Sequence, residues 1–167
     1  MTKRNFLIGA LALVGAGVLL TTVACGNVKV PEGITVVKDF DVKKYSGKWY
    51  EIARFDFKFE KDVSQVTAEY QLKEDGSIKV INKGFNYIKN EWQEKEGKAK
   101  FVDTPNAGAL KVSFFGPFYA GYNVVSLDND YNYALVFGES NDYIWILSRT
   151  KTISEEVKAK YLQNAKD

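Results

Sequence analysis

Between residues 48 and 149 one pattern keeps returning: a short run of alternating apolar and polar residues, closed by turn formers. The runs fall at roughly 48–56, 65–73, 77–86, 92–102, 109–116, 121–127, 132–138 and 143–149. The breaks carry Asp75-Gly76, Thr104-Pro105-Asn106, Gly116-Pro117, Asp128-Asn129-Asp130 and Gly138-Glu139-Ser140-Asn141. A period of two is the period of a strand, and these breaking residues make turns through positive φ, fixed φ or local side-chain hydrogen bonds. Short connections between successive strands force antiparallel neighbours. The expectation is an all-β fold, an eight-stranded antiparallel up-and-down barrel, because closure leaves no raw edge. A two-sheet sandwich is the rival, and strand counting alone does not separate them. The 10 Tyr and 11 Phe suit either, since aromatic side chains favour pleated, half-buried surfaces.

After the eighth run the period changes. Thr152-Ile153-Ser154-Glu155 fits a capping box with Thr152 as N-cap, and Ile153, Val157, Tyr161, Leu162 and Ala165 form a stripe at helical spacing. The last strand carries Tyr143, Trp145 and Leu147 on one face and Ile144 and Ile146 on the other, so both faces require cover. A C-terminal helix on the barrel's outside supplies the second.

The N-terminus has the grammar of a secretory leader. Lys3 and Arg4 precede an apolar run from Phe6 to Leu20, and Thr22-Val23-Ala24 leads to Cys25, the chain's only cysteine. The ending resembles a lipoprotein box, in which the cysteine is lipidated and becomes the new N-terminus. An uncleaved anchor is the alternative, for which the run is short. The expected organisation is a leader over 1–24, a lipidated tether over 25–40 and a barrel with its helix over 41–167. Asp41 caps a short helical turn that delivers the chain to Gly47. Gly26 after the cysteine points to the outer rather than the inner membrane.

Charge and composition exclude several functions. Cleavage would remove Lys3 and Arg4, taking Lys plus Arg from 23 to 21, level with 21 Asp plus Glu. No global field then favours nucleic acid. There is no histidine, which removes the commonest general base and metal ligand together, and one cysteine forms neither an intrachain disulfide nor a metal cluster. Nothing resembling a catalytic constellation stands out, and no cofactor or metal is expected.

Counting strands up and down brings three distant features to one end: Trp49, the turn at 128–130, and Arg149. An arginine stacked on the tryptophan there would plug the barrel, worth ~1–2 kcal/mol when sheltered. Alternation then sorts the interior. Trp49 shares its face with Glu51, Ala53 and Phe55; the inward parity elsewhere holds Ala68, Tyr70, Val80, Asn82, Phe114 and Trp145. An interior this narrow either fills itself or holds one small ligand. The small residues Ala53, Ala68, Gly84 and Ala99 favour space, and Asn82, Tyr70 and Glu51 could orient a polar head group. The opposite end carries Phe57, Phe59, Tyr87, Ile88, Phe118 and Tyr119, which suits an entrance for lipid, a homodimer contact or a membrane-touching surface.

Gly47-x-Trp49-Tyr50, Asp128-Asn129-Asp130-Tyr131 and Arg149 resemble the three conserved regions of the lipocalins. The runs 49–55, 80–84, 110–119 and 143–150 are similar to the bacterial outer-membrane branch of that family. The resemblance implies a barrel that binds hydrophobic molecules, with fatty acids or lysophospholipids as ligands and a role in maintaining membrane lipid under stress. It further implies a membrane anchor through Cys25, and pocket roles for Tyr70, Asn82, Phe114 and Trp145 by matching positions in a related lipocalin.

Overall fold

The computed structural model describes residues 28–55 and 61–166. The leader, Cys25, Phe57 and Phe59 lie outside the described residues. A one-turn helix α1 (Val42–Tyr45) precedes eight strands: β1 (Gly47–Arg54), β2 (Val63–Leu72), β3 (Ile78–Asn86), β4 (Glu91–Phe101), β5 (Ala109–Phe115), β6 (Phe118–Leu127), β7 (Tyr133–Phe137) and β8 (Ile144–Ser148). Helix α2 (Glu155–Asn164) ends the chain. Each strand pairs antiparallel with the next, and β8 pairs back onto β1, closing an eight-stranded barrel. Closure excludes the sandwich.

Asp41 caps α1 as expected, accepting from the Lys43 and Lys44 amides. Gly47 follows with φ +94°, a backbone state that a side chain would strain, so glycine is what lets the chain swing from the turn into β1. Register then sets the interior. Trp49 faces Ala68, Ala68 faces Asn82, and Asn82 faces Lys95 across three successive ladders. All four point inward.

Two apolar cores result. One fills the closed half of the barrel around Trp49, Tyr70, Val80, Leu110 and Val136, joined by Phe40 and Tyr45 from below. The other lies outside, where Leu135, Phe137, Ile144 and Ile146 meet Tyr161 and Val157 of α2 and its C-cap Ala165. The outward face of β8 is therefore covered by the C-terminal helix, as its two-sided apolarity requires. Tyr161 is 2% exposed, and its hydroxyl donates to the Tyr133 carbonyl at 3.1 Å.

The helix begins later than its capping-box motif suggests. Ser154, not Thr152, is the N-cap and accepts from the Val157 amide, while the Thr152 carbonyl is taken by the Thr150 hydroxyl. Leu162, about 100° round the helix from the buried Tyr161, lies at the edge of the stripe and is 41% exposed.

The segment before α1 is also less free than a tether to residue 40. The Val37 amide donates to Val124 and its carbonyl accepts from Gly108; the Phe40 amide donates to Asn106; Lys38 bridges Ala107. Ile34 packs on the outer core. From Ile34 onward the chain is docked on the barrel. The closed sheet and both cores draw on residues 34–165, which makes this stretch a self-contained folding unit.

Candidate ligand-binding site

The closed end is a plug built where the first strand begins and the last one ends. The Arg149 guanidinium lies 3.8 Å above the Trp49 ring, and Trp49 is fully buried. Arg149 also donates to the carbonyls of Lys44, Tyr45, Ser46 and Lys48 through its terminal nitrogens, and to Tyr131 through Nε. Trp49 Nε1 donates to the Tyr45 carbonyl at 2.8 Å. Partial burial pulls the Arg149 pKa down from its ordinary value, while the phenols of Tyr45, Tyr122 and Tyr70 push it back up. The guanidinium stays charged.

Above the plug, three tyrosines join α1, β2 and β6. The Tyr122 hydroxyl sits 2.6 Å from that of Tyr45 and 2.8 Å from that of Tyr70. Burial, reinforced by the neighbouring phenols, raises Tyr45 and Tyr122 well above the usual tyrosine value, so both stay neutral. Bonding the hydroxyls to one another lets polar atoms sit in an apolar floor at low cost.

From this floor a cavity of about 540 Å³ rises to the open end. That is within the ~300–1,000 Å³ usual for small-molecule sites. Its middle is walled by Ala68, Val80, Ala99, Val112, Phe114 and Trp145. Polar side chains gather higher, where Asn82, Gln93 and Lys95 look in from β3 and β4. The Asn82 Oδ1 is buried and has no hydrogen-bond partner among the described residues. Glu51 also lines the cavity, and its carboxylate accepts from Arg54, which in turn donates to the Val63 carbonyl. The buried carboxylate is thus neutralised inside the wall.

Of the eight residues expected to face a ligand, six do line the cavity: Ala68, Tyr70, Val80, Asn82, Phe114 and Trp145. Ala53 and Phe55 do not. The β1–β8 register slips between Glu51 and Ala53, and this bulge reverses the parity of everything after it. Ala53 consequently packs on the outer core, and Phe55 is 55% exposed near the mouth. Gly84 is not open space either, since a Cβ there would lie 2.4 Å from a methyl of Val63. The room comes from Ala68 and Ala99.

Tyr45 and Tyr122 are floor residues that alternation alone did not pick out. Tyr45 comes from outside the strand pattern, and β6 carries aromatic or apolar residues on both parities, which blurs its facing. Gly97 is a third residue that alternation did not pick out, and it lies behind the cavity wall. Its missing Cβ would come within 2.7 Å of Phe114 Cδ1, so glycine is what allows the Phe114 ring to lie across β4.

The family model described as a lipocalin-like domain matches residues 40–167. The chain is 58% identical over 140 residues to Outer membrane lipoprotein Blc of Escherichia coli strain K12, covering 84% of this chain and 79% of that one. It is 46% identical over 159 residues to the protein of the same name from Vibrio cholerae serotype O1, covering 95% and 91%. The structure of insecticyanin from the tobacco hornworm Manduca sexta superposes with a TM-score of 0.61 at 22% identity, over 79% of this chain and 75% of that one, a likeness of fold. With the closed eight-stranded barrel, the Trp49–Arg149 plug and these matches together, the chain belongs to the lipocalin family.

Proposed function

We propose that the protein binds one single-chain lipid, a fatty acid or a lysophospholipid, and holds or carries it at the bacterial outer membrane. The observation that carries this reading is the cavity: apolar through its middle, sealed at one end by Trp49 and Arg149, open at the other. The acyl chain lies between Ala68, Tyr70, Phe114 and Trp145, with the head group near Asn82, Gln93 and Lys95. An eight-stranded barrel has room for one small ligand. Anchorage through a lipidated Cys25 follows the sequence motif and fits relatives that bear the name outer membrane lipoprotein. Several acyl chains on that residue would hold the domain stably on the periplasmic face.

Binding rather than catalysis fits the chemistry in hand. The chain has no histidine, and the Glu51 carboxylate in the cavity wall is tied to Arg54. Mass spectrometry of lipid extracted from purified protein tests the ligand class. Single-chain lipids at near-equimolar amounts are expected. Recovery of diacyl lipids alone, or of none together with no uptake of added oleate or lysophosphatidylglycerol, would overturn the reading.

A further inference from the structure

The exposed large apolar side chains are not scattered. Of eight that the described residues present, five cluster at the open end: Phe55, Tyr87, Ile88, Phe115 and Phe118. Trp92 stands just below them on the outer face of β4, 54% exposed and edge-on to Phe85 at 5.5 Å. Ile88 is 70% exposed at the tip of the β3–β4 hairpin, and Phe118 is 75% exposed at the start of β6. Such a concentration on one end marks a surface that meets a partner.

Its charges say what kind. Three lysines lie over aromatic rings on this side of the molecule: Lys83 over Trp92 at 5.5 Å, Lys95 over Phe115 at 5.7 Å and Lys111 over Tyr119 at 5.6 Å. Lys89 sits at the hairpin tip, 4.0 Å from Glu91. Glu94 and, lower on the same strand, Glu96, which pairs with Lys79 at 2.6 Å, are the other acids of β4. Among the described residues, the remaining acids of the rim are Glu139 and Asp142 in the β7–β8 connection and Asp62, which accepts from the Tyr87 hydroxyl. Among the described rim residues, the lysine–aromatic pairs lie in the β3–β6 sector and two of the three remaining acids on the β7–β8 connection. Aromatic rings interleaved with long cationic side chains are the composition of a bilayer interface, where rings sit at head-group level and lysines reach the phosphates.

We propose that this sector docks the barrel, tilted on the β3–β4 and β5–β6 hairpin tips, onto an anionic lipid surface. Phe115, Phe118, Tyr119 and Lys95 line the cavity as well as the rim, so the docked surface runs into the binding site without a break. A lipid leaving the bilayer would slide along this wall rather than cross water. The surface stands apart from the ligand's identity, and its test is separate from ligand binding.

The test uses the folding unit identified above as a non-lipidated chain from Gly26, in flotation assays with vesicles. One set is phosphatidylcholine alone, the other phosphatidylcholine with phosphatidylglycerol at three to one. The domain is expected to float with the anionic vesicles, with partitioning on the order of tenfold stronger than to the neutral ones and weakening with salt. Ile88→Glu combined with Trp92→Gln, both off the cavity, should abolish most flotation while oleate uptake persists. Leu162→Glu, at an exposed apolar position on α2 away from the mouth, should change nothing. Failure of the parent domain to float, or equal flotation of the double variant, would overturn the proposal. So would rim-dependent dimerisation without vesicle binding, which would assign the surface to a second copy.

Discussion

Arg149 lies 3.8 Å over the face of Trp49, joining the end of the last strand to the start of the first. The contact closes more than one gap. The same guanidinium gathers carbonyls from Lys44 to Lys48, the stretch that turns α1 into β1, and from Tyr131 in the β6–β7 connection. One side chain thus ties together the beginning of the barrel, its end and a turn between.

Replacing Arg149 with Ala is expected to cost about 3 kcal/mol in urea unfolding, since charge-assisted hydrogen bonds and a sheltered cation–π contact go together. Arg149→Lys should recover only part of that loss, because an ammonium cannot serve five carbonyls and a ring at once. Equal stability of the Lys variant and the parent would show that charge alone matters.

Stability is expected to fall on the alkaline side. Burial, with the nearby Asp128 charge, raises the Tyr161 hydroxyl to about 12, and burial raises Tyr45 and Tyr122 in the same direction. Unfolded tyrosine ionises near ~10. The contribution of these groups is complete below that pH and is lost as pH rises towards the folded value, since the unfolded chain then binds fewer protons. Urea midpoints measured between pH 9 and 12 should drop steadily, and Tyr161→Phe should flatten part of the slope. At neutral pH that variant should lose about 1 kcal/mol for the missing bond to Tyr133.

Gly97→Ala tests the packing behind the cavity wall. A Cβ would meet both Phe114 and the Ser113 carbonyl at 2.7 Å, so the ring or the strand must move. A loss of ~1–3 kcal/mol is expected, with weakened oleate binding as Phe114 is pushed into the cavity. Unchanged stability and affinity would mean that the ring is not held where the structure places it.

Phe55 and Phe114 provide a paired comparison. Phe114→Ala should alter affinity for a single-chain lipid, because its ring is part of the wall. Phe55→Ser should leave solution affinity as it was, because the β1 bulge turns it away from the cavity. The reverse result would restore the unbulged register.

That bulge marks the boundary of what the residues disclosed. Strand number, the outer helix and the Trp49–Arg149 plug follow from residue periodicity, turn chemistry and strand direction, which act over long stretches and tolerate small errors. Barrel against sandwich is decided by the pairing of β8 with β1. Six cavity residues follow for the same reason. Ala53 and Phe55 fail because a one-residue slip reverses every later side chain, and no residue at 51–53 announces it. The helix start moved because Ser154 and Thr152 are both competent caps, a competition that local preference leaves open. Tyr45 and Tyr122 find each other only once α1 and β6 are placed in space.

The central claim is that the barrel interior is open and takes one acyl chain. The three tryptophans are well placed to measure it: Trp49 is sealed in the floor, Trp92 stands outside, and Trp145 lines the cavity. Titration of the non-lipidated domain with oleate and with lysophosphatidylglycerol should shift emission saturably at one ligand per barrel, and Trp145→Phe should remove the shift. Ala68→Leu, which fills the middle of the cavity, should weaken binding at least about tenfold. No saturable shift in the parent, or undiminished binding in the filled variant, would contradict the account.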